Sequence, residues 1–303
     1  MNEAEAIINF QLTQRDIRRY LTDIDSAIVG GDGTNKNVYS SVDNVNFLYT
    51  RNSSFWAKNI NGIDAFAVYV TANGNTGYSG LNSCALIAPD VVLYAAHTTF
   101  PINYGPYDVY FVDKLNNTIK RTIAVGAYNQ IDGTDMVVGK LNSPITSINP
   151  IPVSVGLRQR FIRKWEGGDA VGSATFPTDR SLVPGVLVWT IHTGSHIVGV
   201  DDITYFNNDD VFVSNLESTV GSRGLYTNSR AGGDSGCPAC LALNNQLFLV
   251  CQWHFNDAYK TWSTNLSAFV DQIDNAVILV GSTNKVTRSS LSLYSSSCSY
   301  YIE

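Results

Sequence analysis

With 303 residues, 44% of them hydrophobic and only 15% charged, the chain can bury a sizeable core in one or two domains. A formal net charge of −6, with no run of basic residues, excludes a broad cationic surface for nucleic acid or anionic lipid. No apolar stretch reaches the roughly 18–20 residues of a membrane span, so neither nucleic acid nor membrane is an expected partner. The wealth of Ser, Thr, Asn, Gly and Tyr is that of a β-protein with many turns. The start, "MNEAEAIINFQLTQRDIRRYL", is acidic and lacks the basic and apolar regions of a signal peptide, so cytoplasmic synthesis is expected. Five cysteines, Cys84, Cys237, Cys240, Cys251 and Cys298, are too few and too scattered for a disulfide framework and read as reduced thiols.

In chain order, 13–27 reads as a short helix, with Thr13 as cap and Ile17, Tyr20, Leu21 and Ile24 on one face. Residues 29–62 read as loop. Short strands then follow closely: "AFAVYVTA", "SCALIAPDVVLYAAH", "DVYFVD", "TIKRTIAVGAY" and "DMVVGKL". The proline-bearing "NSPITSINPIPVSVG" reads as a connector. A second series follows: "DAVGSATF", "GVLVWTIH", "HIVGV", "DVFVSN", "PACLAL" and "QLFLVCQWH". "NLSAFVDQIDNAV" reads as a closing helix capped by Asn265 or Ser267. The Ser/Tyr-rich end is an arm or tail. The expected division is 1–62 N-terminal helix and arm, 63–150 first β-barrel, 151–280 second β-barrel and closing helix, and 281–303 tail.

"AGGDSGCPAC" places Ser235 in a glycine-rich turn. A serine there is an ordinary turn residue unless a base, an orienter for the base and oxyanion donors accompany it. His97 ends the strand "LIAPDVVLYAAH", where Ala95 and Ala96 allow tight packing behind an imidazole. Asp135 opens the apolar strand "DMVVGKL", with Asp132 as the fallback. His192 and His196 in "HTGSH" have i, i+4 spacing, but the Thr-Gly between them and the flanking β pattern argue for turn rather than a metal-binding helix face. "CPAC" is a C-x-x-C; small core thiols, a zinc site and a redox switch are the readings it allows. A two-residue turn at Asn244-Asn245 would pair Pro238 with Cys251 and gather Cys237, Cys240 and Cys251. No cofactor and no metal are expected.

"LIAPDVVLYAAHTTF", "TDMVVGKLNSPI", "GGDSGCP" and "FLVCQWHF" resemble, in order, the four core blocks of chymotrypsin-like (trypsin-fold) serine proteases of bacterial or viral type. The resemblance runs from about Ala65 to Val277. It implies an all-β fold of two antiparallel six-stranded β-barrels, here with an N-terminal and a C-terminal helix, and a site in the cleft between them. It also implies a serine endopeptidase acting on protein or peptide substrates. Ser235 would be the nucleophile, His97 the general base and Asp135 its orienter; the backbone N–H groups of Gly233 and Ser235 would form the oxyanion hole. The pocket floor would lie six residues before the nucleophile, at Ser229, with Trp253 and His254 at the wall. Ser229 carries no carboxylate, so no preference for Lys or Arg is expected. Departures from the family are Cys237, where many relatives have a second glycine, and Thr98, where secreted animal relatives have cysteine.

The alternative function is a non-catalytic structural or binding module that keeps the fold. The N-terminal helix and the tail read as docking arms for a larger, virion-like assembly. "AIVGGD" offers Ile28-Val29-Gly30-Gly31, which in animal relatives becomes a new N-terminus pairing with the residue here numbered Asp234. Ile28 lies 69 residues before His97, and Ala27 is a poor target for a trypsin-like activator. The expectation is that Ile28 stays within the chain.

Overall fold

Runs of apolar and β-branched residues broken by Gly, Asn and Asp favour strands joined by tight turns, and strands dominate the computed structural model. It describes residues 24, 27–28, 31–72, 83–98, 106–155, 174–175, 185–191, 196–207, 210–214, 221–228, 230, 233–256 and 260–290. In chain order the strands are β1 (Tyr39–Asp43), β2 (Leu48–Arg51), β3 (Tyr69–Ala72), β4 (Ala85–Ala88), β5 (Val91–Ala95), β6 (Tyr107–Val112), β7 (Thr118–Gln130) and β8 (Met136–Leu141). Then come β9 (Val153–Val155), β10 (Ala174–Thr175), β11 (Gly185–Thr190), β12 (Ile197–Asn207), β13 (Asp210–Ser214), β14 (Pro238–Leu243), β15 (Gln246–Asn256), β16 (Lys260–Asn265) and β17 (Arg288–Ser290). The all-β expectation holds.

The first sheet has the order β3-β6-β7-β8-β5-β4, all antiparallel. Its two ends approach each other just before β3, where Phe66 bridges Ala85 and the Ala67 N–H donates to the Cys84 carbonyl at 2.9 Å. In the second sheet β14-β11-β12-β13-β16-β15 are neighbours in that order, and β14 also pairs with β15, so these pairings close on themselves. The strands of both sheets supply one continuous apolar core, including Leu86, Leu93, Val109 and Phe111 from the first and Leu187, Trp189, Val200 and Leu249 from the second.

Four expectations change. Residues 29–62 are not merely loop: β1 and β2 pair around a turn in which the Asp43 carboxylate accepts the N–H groups of Val45 and Asn46. Their alternation is weak because the hairpin leans on neighbours, with Phe47 stacked on Tyr110 at 3.9 Å between centroids. The proline connector contributes β9, and the beginning of the tail contributes β17; both pair in parallel, β9 with β15 and β17 with β9. "KTWSTN" forms β16, so the closing helix starts later than its polar lead-in suggested. Asn265 caps a short 3₁₀ turn at Leu266–Ala268, accepting from the Ser267 N–H, and the helix proper is Val270–Leu279, burying Ile273, Ala276 and Val277. Finally, Asn244 and Asn245 do make a two-residue turn, both with positive φ, but a bulge between Ala239 and Cys240 shifts the register. Pro238 faces Gln252, and Ala239 faces Cys251. Of the 13–27 helix only Ile24 and Ala27 lie among the described residues; both are helical, as is Ile28 beyond it.

Within the second sheet the Arg230 guanidinium donates to the Asp201 carboxylate at 2.9 Å, both side chains fully buried. Burying two charges is costly, and removing one partner costs more than the pair contributes. Asp201→Asn should therefore lower stability by about 3–5 kcal/mol, read as a fall in urea midpoint at unchanged slope. Replacing both, with Asp201→Leu and Arg230→Met, should cost much less; an Asp201→Asn variant as stable as wild type would refute this account.

Candidate active site

His97 sits where β5 gives way to a short 3₁₀ turn, Ala96–Thr98, and Asp135 is the residue immediately before β8. β5 and β8 are antiparallel neighbours, with Ala95 facing Met136. That register alone puts the two residues side by side at one end of the first sheet. The Ala96 N–H donates to the Asp135 carbonyl at 3.0 Å, and the His97 N–H donates to Oδ1 of the same residue at 2.7 Å. Oδ2 then lies 2.5 Å from His97 Nδ1. Backbone and ring are held by one carboxylate, which fixes the imidazole's direction. Asp132, the fallback, sits exposed in the preceding turn.

Ser235 arrives from the second sheet, in the turn before β14. His97 Nε2 and Ser235 Oγ are 2.7 Å apart, a full hydrogen bond across 138 positions of sequence. Ser235 is 8% exposed, while the His97 side chain is 48% and that of Asp135 23% exposed, so the line runs from a sheltered hydroxyl to an open imidazole.

The turn is shaped by two glycines in the left-handed region, Gly233 at φ 106° and Gly236 at φ 83°. Gly236 has a second reason to lack a side chain: a β-carbon there would fall 2.6 Å from the Ser83 carbonyl oxygen and 3.2 Å from the Ala95 nitrogen. The turn is tied down by Cys237 N–H to the Asp234 carbonyl at 2.9 Å and Gly236 N–H to the Trp253 carbonyl at 3.0 Å. Asp234 is fully buried, and in this intact chain its carboxylate accepts the Ile191 N–H at 2.9 Å. Ile28, helical and 1% exposed, is packed into the core.

Of the expected pocket residues, Trp253 is buried on β15, its backbone N–H donating to the Cys237 carbonyl at 3.1 Å. His254 is the next residue of β15; Ser229 lies outside the described residues. His192 also lies outside them. His196 is a core residue, hydrogen-bonded through Nε2 to the Val68 carbonyl at 2.8 Å and ringed by Tyr39, Tyr49 and Trp189. Cys84, Cys237, Cys240 and Cys251 are buried free thiols, and burial raises the pKa of each, that of Cys251 to about 12. Such thiols are poor nucleophiles and poor ligands. Among the described residues no group of three His, Cys, Asp or Glu is placed to hold a metal ion. Sequence reasoning missed Ser83 and Ile191: the Ser83 carbonyl packs against Gly236, and the Ile191 backbone N–H donates to Asp234. Groups of that kind carry no residue-type signal.

No family model and no curated protein matches the chain. Among solved structures it is similar to a mutant of human heparin-binding protein, 14% identical with a TM-score of 0.47, over 71% of this chain and 91% of that one. That overlap is too loose to bear on function.

Gly236→Ala should be damaging on both counts given above. The left-handed strain alone costs about 1–2 kcal/mol, and the Ser83 carbonyl is backbone that cannot swing aside. We expect a lower melting temperature and loss of the 2.7 Å His97–Ser235 contact, seen as slower labelling of Ser235 by a fluorophosphonate. Unchanged stability would show that the turn is looser than its contacts imply.

Proposed function

We propose that this chain is a serine endopeptidase of the chymotrypsin-like class. The observation that carries the reading is the continuous line Asp135–His97–Ser235, with contacts of 2.5 and 2.7 Å, assembled from two different sheets. Two features support reading those sheets as the paired six-stranded barrels of that class: the closed circuit of pairings in the second sheet, and the Phe66–Ala85 bridge between the ends of the first.

In this reading the Ser235 hydroxyl attacks the scissile carbonyl carbon, and His97 Nε2 takes its proton as the C–O bond forms. Asp135 holds the imidazole with Nδ1 protonated, leaving Nε2 as the acceptor, and stabilises the imidazolium. The carbonyl oxygen becomes an oxyanion, received by the N–H groups of Gly233 and Ser235, each worth about 3–4 kcal/mol in the transition state. The imidazolium then gives its proton to the leaving amine, the C–N bond breaks, and an acyl-Ser235 remains. Water, deprotonated by His97, hydrolyses the ester and restores the hydroxyl. The triad itself needs no cofactor for these steps.

Ser235→Ala should abolish both peptide hydrolysis and fluorophosphonate labelling. Asp135→Asn should lower kcat by about 10⁴, because it favours the wrong tautomer. Equal hydrolysis by wild type and Ser235→Ala would overturn the proposal, and a folded wild type that neither cleaves nor labels would favour a non-catalytic module built on the same fold.

For specificity, the resemblance to the chymotrypsin-like class would make Ser229 the pocket floor and Trp253 and His254 its wall; Ser229 carries no carboxylate. Lys and Arg should be disfavoured on the acyl side of the scissile bond, and small or polar residues preferred. Profiling against a peptide library tests this; dominant cleavage after Arg would sink the role given to Ser229.

A further inference from the structure

Gly31 and Gly33 lie against the stretch of chain that leads into the nucleophile turn. A β-carbon on Gly31 would fall 1.8 Å from the Tyr226 hydroxyl oxygen and 3.0 Å from its Cζ; one on Gly33 would fall 2.3 Å from the Leu225 carbonyl oxygen. Tyr226 is 2% exposed, and its ring meets Trp56 edge-on with centroids 5.3 Å apart, so it has little room to retreat. Lys36 donates from Nζ to the Thr227 carbonyl at 3.0 Å. Gly199 of β12 is also packed so closely that a β-carbon there would be 2.8 Å from Asn228 Cβ and 2.9 Å from the Tyr226 carbonyl oxygen. Asn228 Nδ2 donates to Thr190 Oγ1 of β11 at 2.7 Å. Residues 225–228 are therefore in close contact both with the N-terminal segment and with β11 and β12; that segment is itself bonded to the start of β12, the Val198 N–H donating to the Lys36 carbonyl at 3.0 Å.

We infer that Ile28 and residues 31–36 are a built-in brace for residues 225–228, the limb that leads towards the turn carrying Ser235, with Gly31 as the seat of Tyr226. Of the two glycines of "IVGG", Gly31 is accounted for by this packing; Gly30 lies outside the described residues. Ile28, buried at 1% exposure, anchors the brace, and its carbonyl accepts the Gly31 N–H at 3.0 Å. Gly31, Lys36 and Tyr226 are positioning residues: they act through 225–228 on the Gly233–Gly236 turn. Displacements of about 1 Å in such a support can cost about 10²-fold in rate. The effect on rate rests on the protease reading; the effect on local order does not.

The test uses the full-length chain with Gly31→Ala, Tyr226→Phe, the two combined, and Lys36→Met. Gly31→Ala should lower kcat/KM by about tenfold or more, about 1.4 kcal/mol, with a raised KM as the pocket limb loosens. Tyr226→Phe deletes the atom that clashes, so the double variant should recover most of that loss. Hydrogen exchange supplies a readout independent of catalysis. Amides of 225–228 and 233–236 should exchange faster in Gly31→Ala and return towards wild type in the double variant. Lys36→Met, which keeps the aliphatic stem but loses the bond to Thr227, should show a smaller rise confined to the same peptides; it decides the matter if Gly31→Ala does not fold. Exchange unchanged in both single variants, or a double variant no better than Gly31→Ala, would each overturn the brace. A wild type without hydrolysis or labelling would sink the protease reading and leave the exchange pattern to decide this one.

Discussion

The site depends on one close approach between two backbones. Gly236 lies against the Ser83 carbonyl and the Ala95 nitrogen at distances that admit no side chain. Ser83 and Ala95 belong to the first sheet and its approach; Gly236 follows Ser235 in the second half. Because the two backbones meet here, Ser235 Oγ comes within 2.7 Å of an imidazole anchored on the other side. Ser83 also links inward, its hydroxyl donating to the Ala67 carbonyl at 2.9 Å and accepting from Trp189 Nε1 at 3.1 Å. The seam is thus stitched by polar groups that are themselves satisfied, which is what a buried polar junction requires.

Around that seam each candidate residue is held from behind. The Asp135 carboxylate binds both the backbone N–H and the ring of His97, so one residue sets position and direction together. Asp234, next to Ser235, is buried and takes a backbone N–H from Ile191. Arg230, a few residues earlier, is buried against Asp201. Two ionic or charge-assisted anchors thus flank the loop that carries Ser235. Buried charges are weak contributors to net stability; what they supply here is a single allowed placement for a loop that the apolar core alone would leave less defined.

The residues before the first sheet act as a strap. Arg51 donates to the Val112 and Asp113 carbonyls of the first half, while Trp56 Nε1 donates to the Val198 carbonyl of the second. Val38 and Asn37 pair with His196 and Ile197. Little of this shows as periodicity, because the segment follows the contours of other elements instead of forming its own hydrophobic face.

How much was legible in the sequence follows from the range of the interactions involved. Strands such as "VVLYA", "YDVYFV" and "PACLAL" are short apolar runs between turn residues, a local pattern that the residues themselves enforce. The triad candidates could be named because each needs a specific chemical type, and Asp135 and Ser235 also stand beside a recognisable strand or turn. The β9 and β17 strands, the bulge that places Pro238 opposite Gln252, and the partners of Asp234 and Tyr226 were decided only in the folded chain. Each depends on a backbone carbonyl, a backbone N–H or an empty space at a glycine, supplied by residues tens or hundreds of positions away. Every residue carries those backbone groups, so composition and spacing determined which side chains were available for chemistry, while tertiary packing decided which of them meet.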